Sequence, residues 1–118
     1  MMIRLIARGT VEAGDREQFA TLVHELVERV RTNEAGNTLA YDFYLTDDDA
    51  DNCVVHECYT DISALAAHVQ NIGANAGKLA KLFKTGRLEV YGAAPQPLVS
   101  QLERIAPVSH FPNLAAGL

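Results

Sequence analysis

The stretch Glu57-Cys58-Tyr59-Thr60-Asp61-Ile62-Ser63-Ala64-Leu65-Ala66-Ala67-His68 decides how this chain folds. Its first part alternates like a half-buried strand, and Asp61 is a residue type that opens helices. A carboxylate and an imidazole therefore flank a strand-to-helix junction. Upstream, Cys53 to Thr60 reads as one strand, with Val55, Glu57 and Tyr59 on one face and Val54 and Cys58 on the other. Downstream, Ile62, Leu65, Val69, Ile72, Ala76, Leu79 and Phe83 recur at helical spacing. Gly73 and Gly77 fall inside that pattern and are expected to bend or break the helix near its middle.

Further out, Ile3, Leu5 and Ala7 alternate with Arg4, Ile6 and Arg8 as a first strand. Gly14-Asp15 supplies a turn and a helix N-cap. Phe19, Leu22, Val23, Leu26, Val27 and Val30 then mark an amphipathic helix that Gly36-Asn37 ends. Leu39, Tyr41, Phe43 and Leu45 alternate with Ala40, Asp42, Tyr44 and Thr46 as a second, aromatic strand. The acidic segment from Asp47 to Asn52 reads as the hairpin loop into the third strand. It lacks the glycine and terminal Glu of a calcium loop. Gly86 is expected to stop the second helix, and Leu88, Val90 and Gly92 to form a fourth strand.

The order strand, helix, strand, strand, helix, strand is the α+β, ferredoxin-like βαββαβ unit with an antiparallel sheet. It occupies residues 2–93 of a single domain spanning 1–118. Pro95 and Pro97 open an extra helix carrying Leu98, Leu102 and Ile105, and Pro107 ends it. An apolar tail of Val108, Phe111, Leu114 and Leu118 follows, which must dock on its own domain or on a partner. Both sheet faces read as largely apolar, whereas two helices cover only one. A second subunit stacked on the other face, giving a homodimer, is the expectation.

Composition narrows the function. The chain has 118 residues, 48% of them hydrophobic, and a net charge of -5. That balance fits one globular core and argues against nucleic acid, which requires a clustered basic surface. No apolar run approaches the length of a membrane span, and the arginines near the N-terminus interrupt any signal-like segment. A cytoplasmic protein is the expectation. Cys53 and Cys58, on one strand, would lie about 17 Å apart on opposite faces, well beyond the roughly 7 Å limit for a disulfide. His24-Glu25-Leu26-Val27-Glu28 narrowly misses the zinc motif HExxH and falls on the solvent face of its helix. Without paired inward metal ligands, a P-loop, GxGxxG or GxSxG, no metal or cofactor is expected.

His68 is the sharpest catalytic candidate. It lies about 60° from the centre of its helix's apolar stripe, with Asn75 on the same flank. An imidazole at such an edge can look into a cleft and act as base or donor; one simply satisfied at the helix boundary fits the same position. Glu57 projects onto a largely apolar face and needs a partner, for which Arg4, Arg8 or a partner subunit's backbone are candidates. Tyr41, Phe43 and Tyr59 can line a pocket for a flat ligand or belong to the core. Asn71, before Gly73, can open the helix beside His68.

The run Glu57-Cys58-Tyr59, the acidic turn at Asp61, Ala64-Leu65 and His68 resembles the antibiotic biosynthesis monooxygenase family, quinol-monooxygenase-like members included. The resemblance covers roughly residues 2 to 93 and implies a dimeric α/β barrel. It further implies a small cofactor-independent monooxygenase that oxidises a phenolic or hydroquinone-like molecule with O2, His68 and Glu57 being the catalytic pair. In the family the Glu57 position fits an architectural hydrogen-bond acceptor better than a catalyst. Many members carry a second His five residues after the first, where this chain has Gly73. The haem-degrading relatives use a first-strand Asn and a Trp; this chain has Arg4, Ala7 and Arg8 there and no Trp, which argues against haem breakdown. Isomerases, lyases and non-catalytic ligand-binding modules share the same barrel.

Overall fold

A computed structural model describes residues 1–48 and 51–118. Asp49 and Ala50 of the acidic loop lie outside the described residues. Strand β1 (Ile3–Val11) leads through a short 3-10 turn into helix α1 (Arg16–Asn33), and β2 (Thr38–Leu45) and β3 (Cys53–Tyr59) form a hairpin. Helices α2 (Ile62–Ile72) and α3 (Asn75–Leu82) precede β4 (Phe83–Tyr91), and α4 (Gln96–Glu103) and β5 (Val108–Phe111) complete the chain. The sheet order is β2-β3-β1-β4-β5, antiparallel except for the parallel pair β4–β5. It does not close into a barrel within the one chain. No helix among the described residues is long and apolar enough to cross a membrane.

Local chemistry accounts for most of the boundaries. The Asp61 carboxylate accepts a hydrogen bond from the Ala64 amide at 2.8 Å and starts α2. Asp15 stands at the N-cap of α1, but its side chain makes no capping bond. The break expected near the middle of the second helical pattern falls at Gly73, whose φ of +53° an L side chain rarely adopts, and separates α2 from α3. Phe83, expected in that helix, instead opens β4, where it pairs with Val11 at the end of β1. Its apolar side chain suits either element, and strand pairing decides. Gly86, expected as a helix stop, lies inside β4, beside a register shift at Arg8/Gly9 that pairs Arg8 with Arg87 and Gly9 with Thr85. The expected four-stranded sheet gains a fifth strand because Val108 to Phe111 pairs with Leu88 to Tyr91. Leu114 and Leu118, farther along the tail, remain exposed.

All helices pack on one face of the sheet. Phe19 and Val23 of α1 meet Val11, Cys53, Val55 and Phe83, while Leu65 of α2 meets Ile3, Leu5, Tyr59 and Val90. Cys53 and Cys58 are buried free thiols. The opposite face is open and mixed in character, correcting the expectation of two apolar faces. Beside Ile6 and Val54 it carries Glu89, held by Arg8 at 3.4 Å and Arg87 at 3.0 Å. Phe111 stacks on Tyr91, their rings 5.1 Å apart.

Candidate active site

Cross-strand register sets the floor of the site. Tyr41 pairs with Glu57 and Glu57 with Leu5; in the next inward-facing row Phe43 pairs with Val55, Val55 with Ala7 and Ala7 with Leu88. These side chains project toward the helices because a strand's period of 2 puts them on one face. Ala7, the smallest of them, lies mid-row between Val55 and Leu88. Above this floor is a cavity of about 290 Å³, walled on one side by α2 and α3 through Leu65, His68 and Leu79. Leu98 and Leu102 of α4, with Ile105 just beyond it, form the other wall. A wider, shallower depression of about 520 Å³ lies outside the sheet edge, between α1 and β2, over Val27 and Tyr44. His24, on its rim, is exposed and its Nδ1 lies 2.7 Å from the Ala20 carbonyl of its own helix.

Helix α2 carries His68 to the sheet, where it is 6% exposed. The ring packs edge-on against Tyr41 and tilted against Tyr59, with centroids 4.7 and 5.2 Å away. Its Nδ1 lies 2.9 and 3.2 Å from the two carboxylate oxygens of Glu34, the residue that ends α1. Thr38 Oγ1 and Asn71 Nδ2 also donate to that carboxylate, at 2.5 and 2.6 Å. Burial works against ionising Glu34, but the bonds from Thr38 and Asn71 and the imidazole outweigh it and hold the carboxyl below its usual range. An ionised Glu34 only accepts, so Nδ1 donates, and Nε2 is the nitrogen aimed at the cavity side.

Nε2 stands 3.6 Å from Glu57 Oε1, too far for a direct hydrogen bond. The Tyr59 hydroxyl donates to the same Glu57 oxygen. Burial pushes the Glu57 carboxyl up; the Tyr59 bond and the imidazole oppose that shift without cancelling it. Tyr59 is itself pushed up, first by burial and then by Glu57. The result is a buried line Glu34, His68, Glu57, Tyr59 in which one carboxyl is held low and the other high. Such divergence separates an anchor for the imidazole from a group that burial shifts toward its protonated form.

The expected residues are distributed unevenly. His68, Glu57, Tyr41 and Phe43 line the cavity. Tyr59 is fully buried behind Glu57, and Asn71 sits behind Glu34, so neither reaches the cavity wall. Asn71 also accepts from Arg29 at its carbonyl and from Asn33 at its side chain, tying α2 to the end of α1. Asn75 begins α3, half-buried, and is not part of the lining. Arg4 and Arg8 do not partner Glu57, because strand alternation sends them to the open face. Glu34 was the omission. One signal pointed to it: an acid at a helix C-terminus faces the negative end of the dipole, so something else must hold it there.

No curated protein matches the sequence. Among solved structures, MupZ from Pseudomonas fluorescens is 17% identical with a TM-score of 0.75, covering 99% of this chain and 93% of that one. A putative antibiotic biosynthesis monooxygenase from Caulobacter crescentus CB15 is 22% identical with a TM-score of 0.62, covering 75% and 84%. Rv0793 from Mycobacterium tuberculosis is 20% identical with a TM-score of 0.62, covering 80% and 95%. At these identities the likeness is one of fold. The sequence model of the antibiotic biosynthesis monooxygenase family matches residues 2–77, from β1 into α3, a span that includes Glu34, Glu57 and His68. The chain belongs to the antibiotic biosynthesis monooxygenase family.

Proposed function

We propose that the protein is a cofactor-independent monooxygenase that oxidises a phenolic or hydroquinone-like small molecule with O2. The observation supporting this is the Glu34–His68 pair, which turns a fixed imidazole nitrogen toward a largely apolar cavity floored by Tyr41 and Phe43. His68 Nε2 takes the phenolic proton, and Glu34 stabilises the imidazolium that forms. The resulting electron-rich anion reacts with O2; one oxygen atom enters the ring and the other leaves as water, so a phenol becomes a quinone. The largely apolar lining favours this course, because the anion meets few groups there that could return the proton. Oxygen uptake with simple hydroquinones and naphthols, measured in an oxygen electrode, tests the reading. Uptake that depends on His68 is expected; its absence across such phenols removes the monooxygenase assignment.

The raised Glu57 favours a second reading on the same site. A carboxyl held toward its protonated form beside a base is suited to moving a proton from one substrate atom to another, the chemistry of an isomerase or lyase. Turnover under nitrogen, without oxygen consumption, would select this reading over the first.

The working form in either case is a homodimer, with a second copy on the open sheet face and an interface well above about 1,200 Å². Ile6, Val54 and the Tyr91–Phe111 stack supply apolar contacts there, and the arginines around Glu89 supply polar ones. Light scattering showing a monomer at micromolar concentration ends that assignment.

A further inference from the structure

The cavity is chemically lopsided. Tyr41, Glu57 and His68 cluster at its β2–β3 side, whereas its β4 side is bounded by Leu88 below and by Leu98, Leu102 and Ile105 above. Thr85 is the one polar side chain of β4 in the lining. From Tyr41 on β2 to Leu88 on β4 the floor crosses three strand spacings, about 14 Å. That is longer than a single ring needs. Ala7 keeps the middle of this run open, since a larger side chain between Val55 and Leu88 would divide it.

The apolar end is built by a separate part of the fold. Helix α1 packs on α2 and α3, whereas α4 packs on β5. The cavity therefore occupies the seam between two helical units resting on one sheet. Val69 on one lip and Ile105 on the other are each 62% exposed while lining the cavity, so the seam opens to solvent between them.

We infer that Leu98, Leu102 and Ile105 form a length-selecting end wall, and that the ligand is an amphiphile with one acidic hydroxyl at His68 and a hydrocarbon body running along the seam to α4. This rests on the proposed reading of His68 for the position of the head, but the end wall acts on binding alone. Every methylene that reaches the apolar end is removed from water until the chain meets Leu102, after which further length gains nothing.

Binding of a homologous series of 4-alkylphenols, from methyl to octyl, tests this by calorimetry on the full chain. Affinity should rise by up to about fourfold per added methylene and then level off. Leu102→Ala should move the plateau to longer chains, and Leu102→Phe to shorter ones. Ile105→Phe, at an exposed lip where folding is not at stake, should also shorten the accepted chain. Affinity independent of chain length, or a plateau that stays put in all three variants, overturns the end wall. The two proposals fail separately. A plateau that shifts with Leu102, without oxygen uptake on any phenol, supports the end wall and removes only the oxidation. Oxygen uptake with an immovable plateau leaves the oxidation and removes the end wall.

Discussion

Glu57 on β3 and Glu89 on β4 begin the same tripeptide pattern, Glu-x-Tyr, and end in opposite electrostatic states. In each, the tyrosine two residues on donates to the glutamate's Oε1, from Tyr59 in one case and from Tyr91 at 3.1 Å in the other. Glu89 faces the open side of the sheet, where Arg8 and Arg87 reach it. Burial raises its carboxyl, but the bonds from Arg8 and Tyr91 and the two positive charges outweigh that and hold it low. Glu57 faces the helices, where His68 is its only ion-pair partner among the described residues, and burial wins. The same local motif thus gives a carboxyl held low on one face and one held high on the other. What differs is the face, and with it the cations in reach.

The sharpest way to separate the two faces is through turnover. With a competent phenol, His68→Ala should lower the rate by about 10²–10⁴-fold, whereas Arg8→Ala on the opposite face should alter it only as far as it weakens the dimer. Wild-type rates in His68→Ala would show that the helix-side face has no catalytic imidazole. Next in size is the anchor. Glu34→Ala removes the shared acceptor of His68, Thr38 and Asn71, and should destabilise the fold by about 1–3 kcal/mol per orphaned buried donor. Urea denaturation measures it; a loss within error would mean that water replaces the carboxylate fully.

The pH dependence of stability should carry opposite signs on the two faces. Glu89, held low, adds stability that is complete above the ordinary carboxylate range and is lost as pH falls through its lowered value. Glu57, held high, adds stability that is complete below that range and is lost as pH rises through its raised value. Glu89→Gln should therefore flatten the acid limb of the stability profile, and Glu57→Gln the decline on the other side. If both variants flatten the same limb, the contrast drawn between the faces is wrong. The smallest effect is expected from Glu89→Gln at neutral pH. Its arginine partners are substantially exposed, so the loss should be about 1 kcal/mol or less.

Much of the fold was legible because periodicity reports burial directly. The alternation in Ile3 to Ala7 and the steps of 3 and 4 from Phe19 to Val30 fixed the first strand and helix, and Gly73 marked the break between α2 and α3. Phe83 misled, since an apolar residue at the end of a helical pattern is equally suited to start a buried strand. The tail's apolar character was plain, but its parallel pairing with β4 was not. Strand addition depends on an available edge elsewhere in the fold, and no local pattern encodes that.

The candidate site divides the same way. His68, Glu57, Tyr41 and Phe43 were readable because each stands at a definite phase of a strand or helix, and phase dictates direction. Glu34 is 34 residues from His68 in sequence and caps the end of a different helix, yet its carboxylate fixes which imidazole nitrogen faces the cavity. Asn71 lies off the cavity wall and donates to Glu34, a contact that no pattern within α2 encodes. Arg4 and Arg8, two of the candidate partners for Glu57, are sent by strand parity to the far face. The sequence by itself determined the order of the core elements from β1 to β4 and most of the residues they aim inward, because these follow from local periodicity. Only the tertiary structure decided which charges meet, because pairing depends on distances between elements remote in sequence, and those distances set whether a buried carboxyl keeps or loses its proton.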